Sequence, residues 1–242
     1  MVKSTKNMLC NTKNVSNNQP IGCFIETLRI ENGVIYNFDM HQERMHKTSF
    51  FHYGTKPELK IMISDKRLTI NSGNSQANGN NLPLITNHLS LNTNERIKCR
   101  VLYSSDIITV EFSAYSAKEI RSLCLVEDNG IEYNYKFVAR DALNNLFAQR
   151  KSADDIIIVR NGNITDSSFS NLVFETFEGE LFTPRTYLLA GTKRKFLLES
   201  GIIKERDITV DDIFSYKKVY LINAMLDIED DISVAVDSIL TL

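Results

Sequence analysis

The sequence predicts an α+β fold, and three observations support this prediction. Hydrophobic residues make up 43% and charged residues 24% of the 242-residue chain, an ordinary composition for a globular protein with a sizeable core. The first half of the chain gives the order strand, strand, helix, ill-defined region, strand, strand. Tight-turn signals such as Asn161-Gly162 join neighbouring strands, which is typical of antiparallel sheets.

The first predicted domain covers residues 1–115 and opens with a β-hairpin. Polar and apolar residues alternate through Gly22–Ile30, which predicts a strand. The sequence Glu31-Asn32-Gly33 is a hairpin turn signal, and Val34–Phe38 is the predicted returning strand. A polar, Asn-rich segment, residues 1–19, precedes this hairpin, and we expect it to be poorly ordered.

A helix and a second strand pair complete this domain. Asp39 is predicted to cap the helix, which begins near Met40, and Gly54 to end it. Residues 71–94 are rich in Asn, Ser and Gly, which indicates a long loop or a helix with loops around it. The segments IKCRVLY (97–103) and IITVEFSAY (107–115) are the predicted strand pair.

A linker over residues 116–124 is predicted to lead into a second, larger domain over residues 125–242. Helical periodicity marks two of its segments, and strand patterns mark the others. The predicted helices are Asp141–Gln149 and Gly191–Gly201, and the predicted strands are Cys124–Val126, Tyr133–Phe137, Asp155–Arg160, Ile164–Asp166, Leu172–Glu175, Leu181–Thr183, Ile202–Ile208, Val219–Asn223 and Ile232–Val236.

Composition argues against several classes of protein. The net charge of −2 comes from interspersed acids and bases, so no basic stripe indicates a nucleic-acid partner. No apolar run approaches the roughly 20 residues that a membrane span needs. The cysteine spacing matches no zinc site, so no metal is expected, and we expect reduced thiols in a cytoplasmic protein. The four cysteines are Cys10, Cys23, Cys99 and Cys124.

Lys136 is the first residue with candidate chemistry. It lies in an extended segment, Ile131–Phe137, that contains several aromatic residues. Ile131, Tyr133, Tyr135 and Phe137 would share one face of this segment and leave Lys136 on the other. In most proteins such a lysine is simply solvated. A lysine in a partly desolvated pocket has a lowered pKa and can attack a carbonyl to form a Schiff base. Pyridoxal phosphate (PLP) requires that chemistry.

Asp166 is the second candidate. One interpretation is a turn acid that caps a nearby backbone N–H through the serine-rich sequence that follows it. The other is a carboxylate beneath a pyridine ring, which keeps the ring nitrogen protonated because each charge stabilises the other. The protonated ring then accepts electrons from a substrate carbanion.

Two further segments have residue types that bind phosphate. Gly191-Thr192 opens a predicted helix, and the N–H groups at a helix start attract anions; Lys193 and Arg194 follow directly. His41 and Arg44 lie one turn apart on the first predicted helix, and a guanidinium can donate several hydrogen bonds to a phosphate. Taken alone, His41 and Arg44 are better explained as an exposed helix face, and Lys193 and Arg194 are equally consistent with surface charges.

The order and spacing of these segments resemble the class IV aminotransferase family, which consists of PLP enzymes of fold type IV. The resemblance extends from about Gly22 to Asp227. It implies a small N-terminal α+β domain, a larger C-terminal domain with a β-barrel-like core, and a homodimer with the cofactor between the two domains. The matching segments are FIETLRIENGVIYNFDMHQERM (24–45), the KxxxR of Lys136 and Arg140, NGNITDSSFSNLVF (161–174), LFTPRTYLLAGTKR (181–194) and LINAM (221–225).

The resemblance implies a role for each candidate residue. Lys136 corresponds to the Schiff-base lysine, and Arg44 of the HxxR motif corresponds to the arginine that binds the cofactor phosphate. Thr192 and Lys193 correspond to the phosphate-binding pair at the start of a helix.

One position departs from the family pattern, and the family pattern does not identify the residues that bind the substrate carboxylate. Asp166 stands where the family usually has glutamate in a T-E-x-S-x-x-N segment. Because aspartate is one methylene shorter, the backbone must lie closer to the ring or a water must bridge the gap. The groups that bind the substrate carboxylate are not fixed by the resemblance, and Arg29 and Arg140 are the candidates.

The family includes different reactions on amino-acid-like substrates. Asn223-Ala224-Met225 and the spacing from Lys136 to Arg140 resemble aminodeoxychorismate lyase, which eliminates pyruvate to leave 4-aminobenzoate, a folate precursor. The alternative is an aminotransferase that acts on branched-chain or D-amino acids. A cofactor-free homologue that serves as a binding or scaffold protein is the remaining alternative, because Asp166 departs from the pattern.

Overall fold

The computed structural model describes residues 22–64, 67–72 and 95–241, with side chains for all of these except 62–64 and 67–72. Its mixture of many strands and few helices confirms the α+β class. The expectations for residues 1–19 and for most of 71–94 concern residues outside the described ranges. The chain forms two compact units: one ends at Tyr115 and also includes Lys136–Ala139, and the other consists of Ser116–Tyr135 and the residues from Arg140 onward.

The first unit contains a four-stranded antiparallel sheet in the order β2-β1-β5-β6 and a separate two-stranded hairpin, β3-β4. Strand β1 buries alternate residues, so that Phe24, Glu26 and Leu28 point into the core while the other face is half-buried. The elements are β1 (Phe24–Glu31), β2 (Val34–Ile35), α1 (Phe38–Tyr53), β3 (Leu59–Ser64), β4 (Arg67–Ser72), β5 (Ile97–Tyr103) and β6 (Ile107–Ala114).

Turn residues explain where the first unit agrees with the sequence and where it differs. Asn32 and Gly33 have φ angles of 51° and 75°, so the hairpin turn is confirmed. The predicted helix cap is wrong. Asn37, with φ of 52°, precedes α1, and Asp39 lies within the first helical turn. This earlier helix start shortens β2 to two residues. The β3-β4 hairpin was not predicted.

The second unit is organised around a larger sheet with the order β12-β11-β10-β9-β8-β7-β15, and β13 pairs with both β10 and β14. Strand pairs β7-β8, β7-β15 and β11-β12 are parallel, and the other pairs are antiparallel. The elements are β7 (Leu123–Glu127), α2 (Asp141–Phe147), β8 (Asp155–Arg160), β9 (Asn163–Ser167), β10 (Asn171–Glu175), β11 (Leu181–Pro184), α3 (Thr192–Glu199), β12 (Lys204–Arg206), β13 (Lys218–Ile222), β14 (Ser233–Ala235) and β15 (Ile239–Leu240).

The core of the second unit lies on this sheet. Ile157, Ile164 and Leu172 come from three adjacent strands and are fully buried in one cluster. The turn at Asn161-Gly162, with φ angles of 51° and 74°, connects β8 to β9 as the sequence predicts. This hairpin places the residues after Ile164 at the end of a rigid, buried strand.

The predicted strand at Tyr133–Phe137 is wrong. Only one isolated bridge forms there, between Phe137 and Phe24. That bridge consists of two backbone hydrogen bonds, from Ile25 N–H to the Lys136 carbonyl and from Val138 N–H to the Cys23 carbonyl, and no regular ladder follows it.

Two other expectations concern the whole chain. Among the described residues, no helix is long and apolar enough to cross a membrane. Cys99 and Cys124 are buried free thiols, but Cys23 is disulfide-bonded. The expectation of four reduced cysteines is therefore wrong, because spacing along the chain does not determine which thiols meet in space.

Candidate active site

Backbone hydrogen bonds hold Lys136 against β1. The Ile25 N–H donates to the Lys136 carbonyl at 2.9 Å, and the Val138 N–H donates to the Cys23 carbonyl at 2.9 Å. The rings of Phe24 and Phe137 pack with centroids 5.0 Å apart. The position of Lys136 is therefore set by its neighbours and does not depend on its own side chain.

The Lys136 ammonium lies over the half-buried face of β1. Its Nζ donates to the Thr27 hydroxyl at 3.1 Å. Thr27 and Arg29 share this face because side chains two residues apart in a strand point the same way. The sequence interpretation did not single out Thr27, and no pattern in the sequence brings two residues so far apart together.

The predicted phosphate arginine, Arg44, belongs to a buried cluster on the opposite face of β1. Its Nε donates to Oε1 of Glu26 at 2.9 Å, and its second terminal nitrogen donates to Oε2 at 2.6 Å. The His41 Nδ1–H donates to the same Oε2 at 2.7 Å. The histidine and the arginine of the HxxR motif therefore both bind the Glu26 carboxylate.

Electrostatics fix the charge states in this cluster. Burial alone would raise the pKa of Glu26, but the Arg44 guanidinium and the His41 hydrogen bond outweigh it and lower that pKa to about 2. Burial lowers the pKa of His41, although its bond to Glu26 opposes the shift, and the charges of Arg44 and Lys136 lower it further. Glu26 is thus an anion that holds Arg44 in place. A signal for it existed in the sequence, since an acid on the apolar side of an alternating strand is unusual.

In the second unit, Asp166 is 5% exposed and accepts three hydrogen bonds. The side-chain amide of Asn171 donates to Oδ1 at 2.8 Å. The backbone N–H groups of Leu188 and Leu189 donate to Oδ2 at 3.0 and 2.9 Å. Each carboxylate oxygen has two acceptor positions, so this arrangement leaves acceptor capacity for another donor.

The protonation of Asp166 tests whether a PLP ring fits here. Burial raises its pKa to about 6, against the opposing effect of the Leu189 N–H and the Asn171 amide. The charge of Arg194 also opposes the rise in this pKa, but its guanidinium pairs with Glu205 at 2.7 Å. A protonated ring nitrogen is the kind of donor that would relieve this burial, so the residues present fit the cofactor.

The helix start at Gly191 is also as predicted. Gly191 is the N-cap of α3, which begins with Thr192 and Lys193. The first N–H groups of a helix have no acceptor within the helix and attract anions. The Lys193 ammonium pairs with Asp227, whose pKa stays below its usual range because this partner outweighs burial. What Lys193 offers to a phosphate is therefore its backbone N–H.

The two candidate substrate arginines differ in their surroundings. Arg29 pairs with Glu31 and stacks on Tyr36, with its guanidinium carbon 4.6 Å from the ring centroid. It lies on the same face of β1 as Thr27. Arg140 belongs to the second unit, where it donates to the carbonyl of Ser168. Arg29, and not Arg140, thus shares a sheet face with the residue that binds the Lys136 ammonium.

Asp155 is a buried acid that the sequence interpretation did not note. It is 1% exposed at the start of β8, and among the described residues neither carboxylate oxygen has a hydrogen bond of good geometry. Burial raises its pKa, and the nearby Ser168 hydroxyl only moderates the effect. Folding therefore favours the protonated form of Asp155.

This shift predicts a dependence of stability on pH. Because the folded-state pKa is above the unfolded value of about 4, the contribution of Asp155 is favourable below pH 4 and is lost as the pH rises through the folded-state pKa. We expect the change in unfolding free energy on acidification from pH 7 to pH 4.5 to be less favourable in Asp155→Asn than in the wild type. Urea unfolding of both proteins at the two pH values measures this, and equal gains would contradict it.

The comparison with protein families decides what this site belongs to. The amino-transferase class IV family model matches residues 23–229, which include both Lys136 and Asp166. The chain belongs to the class IV aminotransferase family. The predicted resemblance is therefore confirmed, and the protein is a PLP-dependent enzyme of fold type IV.

Individual relatives within the class IV aminotransferases agree with this assignment. An uncharacterised protein of Haemophilus influenzae is 36% identical over 200 residues, which cover 83% of this chain and 96% of the relative. A crystal structure from Haemophilus somnus, provisionally assigned as a 4-amino-4-deoxychorismate lyase, is 32% identical with a TM-score of 0.66 and covers 84% of this chain and 96% of that one.

A more distant class IV structure shares the fold alone. The PLP-bound form of a hypothetical aminotransferase from Mycobacterium tuberculosis is 17% identical, with a TM-score of 0.58. The match covers 84% of this chain and 78% of that one. At this identity, the likeness extends to the architecture and to no particular substrate.

Proposed function

We propose that this class IV enzyme is a lyase that eliminates pyruvate from aminodeoxychorismate and leaves 4-aminobenzoate. The observation that carries the proposal is a cationic sheet face in the first unit, next to the Lys136 ammonium. The face consists of residues that point the same way from β1 and β5 and from the residue just before β5. Its cations are Arg29, Arg96, Lys98 and Arg100, which lie beside Thr27.

Strand register brings these cations together. Arg29 is directly opposite Lys98, and Thr27 is directly opposite Arg100. Directly opposed side chains in an antiparallel pair have Cβ atoms about 5 Å apart. Thr27 binds the Lys136 ammonium and lies opposite Arg100. Of the cations on β5, Arg100 is therefore the one beside this amine.

Carboxylates on the same face neutralise only part of this charge. Glu31 accepts from Arg29 and lies 3.6 Å from Arg96, and Glu111 lies 3.4 Å from Arg100. Lys98 lies directly opposite Arg29 on one side and Ser113 on the other, so neither cross-strand neighbour is a carboxylate. The face therefore retains positive charge for an anionic substrate.

The number of cations favours the lyase substrate over a branched-chain amino acid. Aminodeoxychorismate has two carboxylates, one on the ring and one on the enolpyruvyl group, whereas a branched-chain amino acid has one carboxylate and an apolar side chain. A face with several cations can pair with both carboxylates of aminodeoxychorismate, whereas a bound branched-chain amino acid would leave some of these cations unpaired. The provisional lyase assignment of the Haemophilus somnus relative supports the same choice.

The chain's own residues then perform the proton transfers. Bound PLP supplies an electron sink for the carbon that carries the substrate amine. By the family resemblance, Asp166 would keep the ring nitrogen protonated, and Arg44, Thr192 and Lys193 are the residues assigned to bind the phosphate. The Lys136 amine would take a proton from the carbon that carries the substrate amine. The C–O bond to the enolpyruvyl group would then break with its electron pair on oxygen, and the resulting Lys136 ammonium would return the proton to the methylene carbon of the released enolate, which gives pyruvate.

The family resemblance supports a homodimer as the setting for this reaction, and a cytoplasmic location stays a prediction from the sequence. The product 4-aminobenzoate would place the enzyme in folate biosynthesis. Light scattering on the purified protein measures the mass in solution, and a monomeric mass would remove the homodimer from the proposal.

The reaction is tested by product analysis of the PLP-loaded enzyme. With aminodeoxychorismate, we expect equal amounts of 4-aminobenzoate and pyruvate. With branched-chain L- and D-amino acids plus 2-oxoglutarate, we expect amino transfer to be at least about 100-fold slower, because a single carboxylate leaves part of the cationic face unpaired. Amino transfer without 4-aminobenzoate would identify an aminotransferase, and no reaction together with no PLP binding would favour the scaffold alternative.

A further inference from the structure

The side chain of Asn171 connects two parts of the second unit that have separate roles in the proposed function. It is 6% exposed and lies at the start of β10, directly opposite Asp166 in the strand register. Its Nδ2 donates to Oδ1 of Asp166 at 2.8 Å and to the carbonyl of Leu189 at 3.0 Å. Both amide protons are therefore used, one for the buried acid and one for the loop that leads to α3.

The oxygen of the same amide explains why residue 191 is glycine. Gly191 has φ of −71° and ψ of 137°, a conformation that any residue adopts, so backbone strain does not require glycine here. A Cβ at position 191, however, would lie 1.8 Å from Oδ1 of Asn171 and 3.0 Å from its Cγ. The Asn171 side chain cannot move aside without losing its two hydrogen bonds. The glycine thus provides space for the amide.

We propose that Asn171 is a positioning residue that links the ring-nitrogen acid to the phosphate-binding helix start. It holds Asp166 and the Leu189–Gly191 segment in one fixed relation, and Gly191 is small in order to admit it. The two backbone N–H groups on Oδ2 of Asp166 come from the same segment, at Leu188 and Leu189. One amide therefore sets both the direction of the carboxylate and the position of the Gly191 N-cap.

This proposal rests on the proposed roles of Asp166 and of the helix start, and it has a geometric part that needs no cofactor. That part is a double-mutant cycle on the cofactor-free protein. We expect Gly191→Ala to lower the midpoint of urea unfolding by about 1 M. In the Asn171→Ala background, where the blocking amide is gone, the same change is expected to lower it by less than half as much.

Gly130→Ala is the matched control for the cycle. A Cβ there would meet only the Asp128 carboxylate, at 3.6 Å, which is an ordinary contact distance. We expect its midpoint to be nearly unchanged in both backgrounds. Equal losses for Gly191→Ala with and without Asn171 would overturn the geometric part. If Asn171→Ala fails to fold, Asn171→Ser gives the second background.

The functional part is read from Asp166 itself and from cofactor affinity. Removing the Asn171 hydrogen bond is expected to raise the titration midpoint of the Asp166 carboxyl, followed by carbon-13 NMR and assigned with Asp166→Asn. The dissociation constant of PLP, measured by fluorescence titration, is expected to rise about tenfold in Asn171→Ala.

The outcomes separate the two proposals. An unchanged titration midpoint with unchanged PLP affinity would overturn the positioning role while the enzyme remains intact. A wild-type protein that binds PLP but makes no 4-aminobenzoate would contradict the proposed reaction without affecting the cycle.

Discussion

Replacing Lys136 with alanine is expected to lower turnover by at least about 10³-fold, because in the proposed mechanism the same amine binds the cofactor covalently and moves the protons of the reaction. The variant is also expected to lose the visible absorbance band that borohydride removes from the wild-type, PLP-loaded enzyme. Steady-state product formation and absorbance spectra measure the two effects. The hydrogen bond from Nζ to Thr27 shows that the amine is oriented and not simply solvated.

Lys47→Ala is the matched control for this change. Lys47 lies on α1 of the same unit, is 72% exposed, and pairs with Glu43 one helical turn away. Such a surface pair contributes little, so turnover and absorbance should match the wild type. A Lys136→Ala protein with a borohydride-sensitive band would show that another lysine carries the cofactor.

Replacing Asp166 with asparagine is expected to lower kcat by about 10²-fold, because the amide is similar in shape but does not keep the ring nitrogen protonated. Asp166→Glu retains the charge and restores the residue type that is usual in the family, so it should retain more activity than the amide. We would measure kcat for the wild type, Asp166→Asn and Asp166→Glu, each saturated with PLP. The comparison separates the effect of the carboxylate charge from the effect of side-chain length. Equal losses in both variants would show that the packing of Asp166 matters more than its charge.

The pKa of Asp166 adds a prediction for the cofactor-free protein. The folded-state pKa is raised from 3.8 to about 6. The contribution of Asp166 to the free energy of unfolding is therefore fully present below pH 4 and is lost as the pH rises through 6. A shift of about two units corresponds to roughly 3 kcal/mol. Asp166→Asn should lack this loss between pH 5 and pH 7.5. Saturation with PLP should also remove it, since a protonated ring nitrogen compensates the buried charge.

The sequence alone predicted the class of the fold and several local elements of the second unit. Alternation and turn residues located β8, the turn at Asn161-Gly162 and the strand that carries Asp166, because these features depend on neighbouring residues. The N-cap at Gly191 followed from the same local rules. The family assignment also followed from the sequence, because short motifs in a fixed order are local features as well.

What the sequence did not predict depends on contacts between distant residues. Glu26 and Arg44 are separated by 18 positions and Lys136 and Thr27 by 109. Helical or strand periodicity contains no information about such pairs. Asn171 was part of a recognised motif, yet its role becomes visible only when the register places it opposite Asp166 and its amide against Gly191. The predicted strand at Tyr133–Phe137 failed for the same reason.

The placement of Lys136–Ala139 has a consequence for dividing the protein. These four residues belong to the first compact unit although the chain on both sides of them belongs to the second. No single cut in the polypeptide therefore yields the two units as separate fragments. A fragment that ends at Tyr115 lacks the partner of the Ile25 N–H and the reactive amine, and the remaining fragment contains that amine without the strand that orients it. Attempts to exchange either unit between relatives must transfer this short insertion with the first unit.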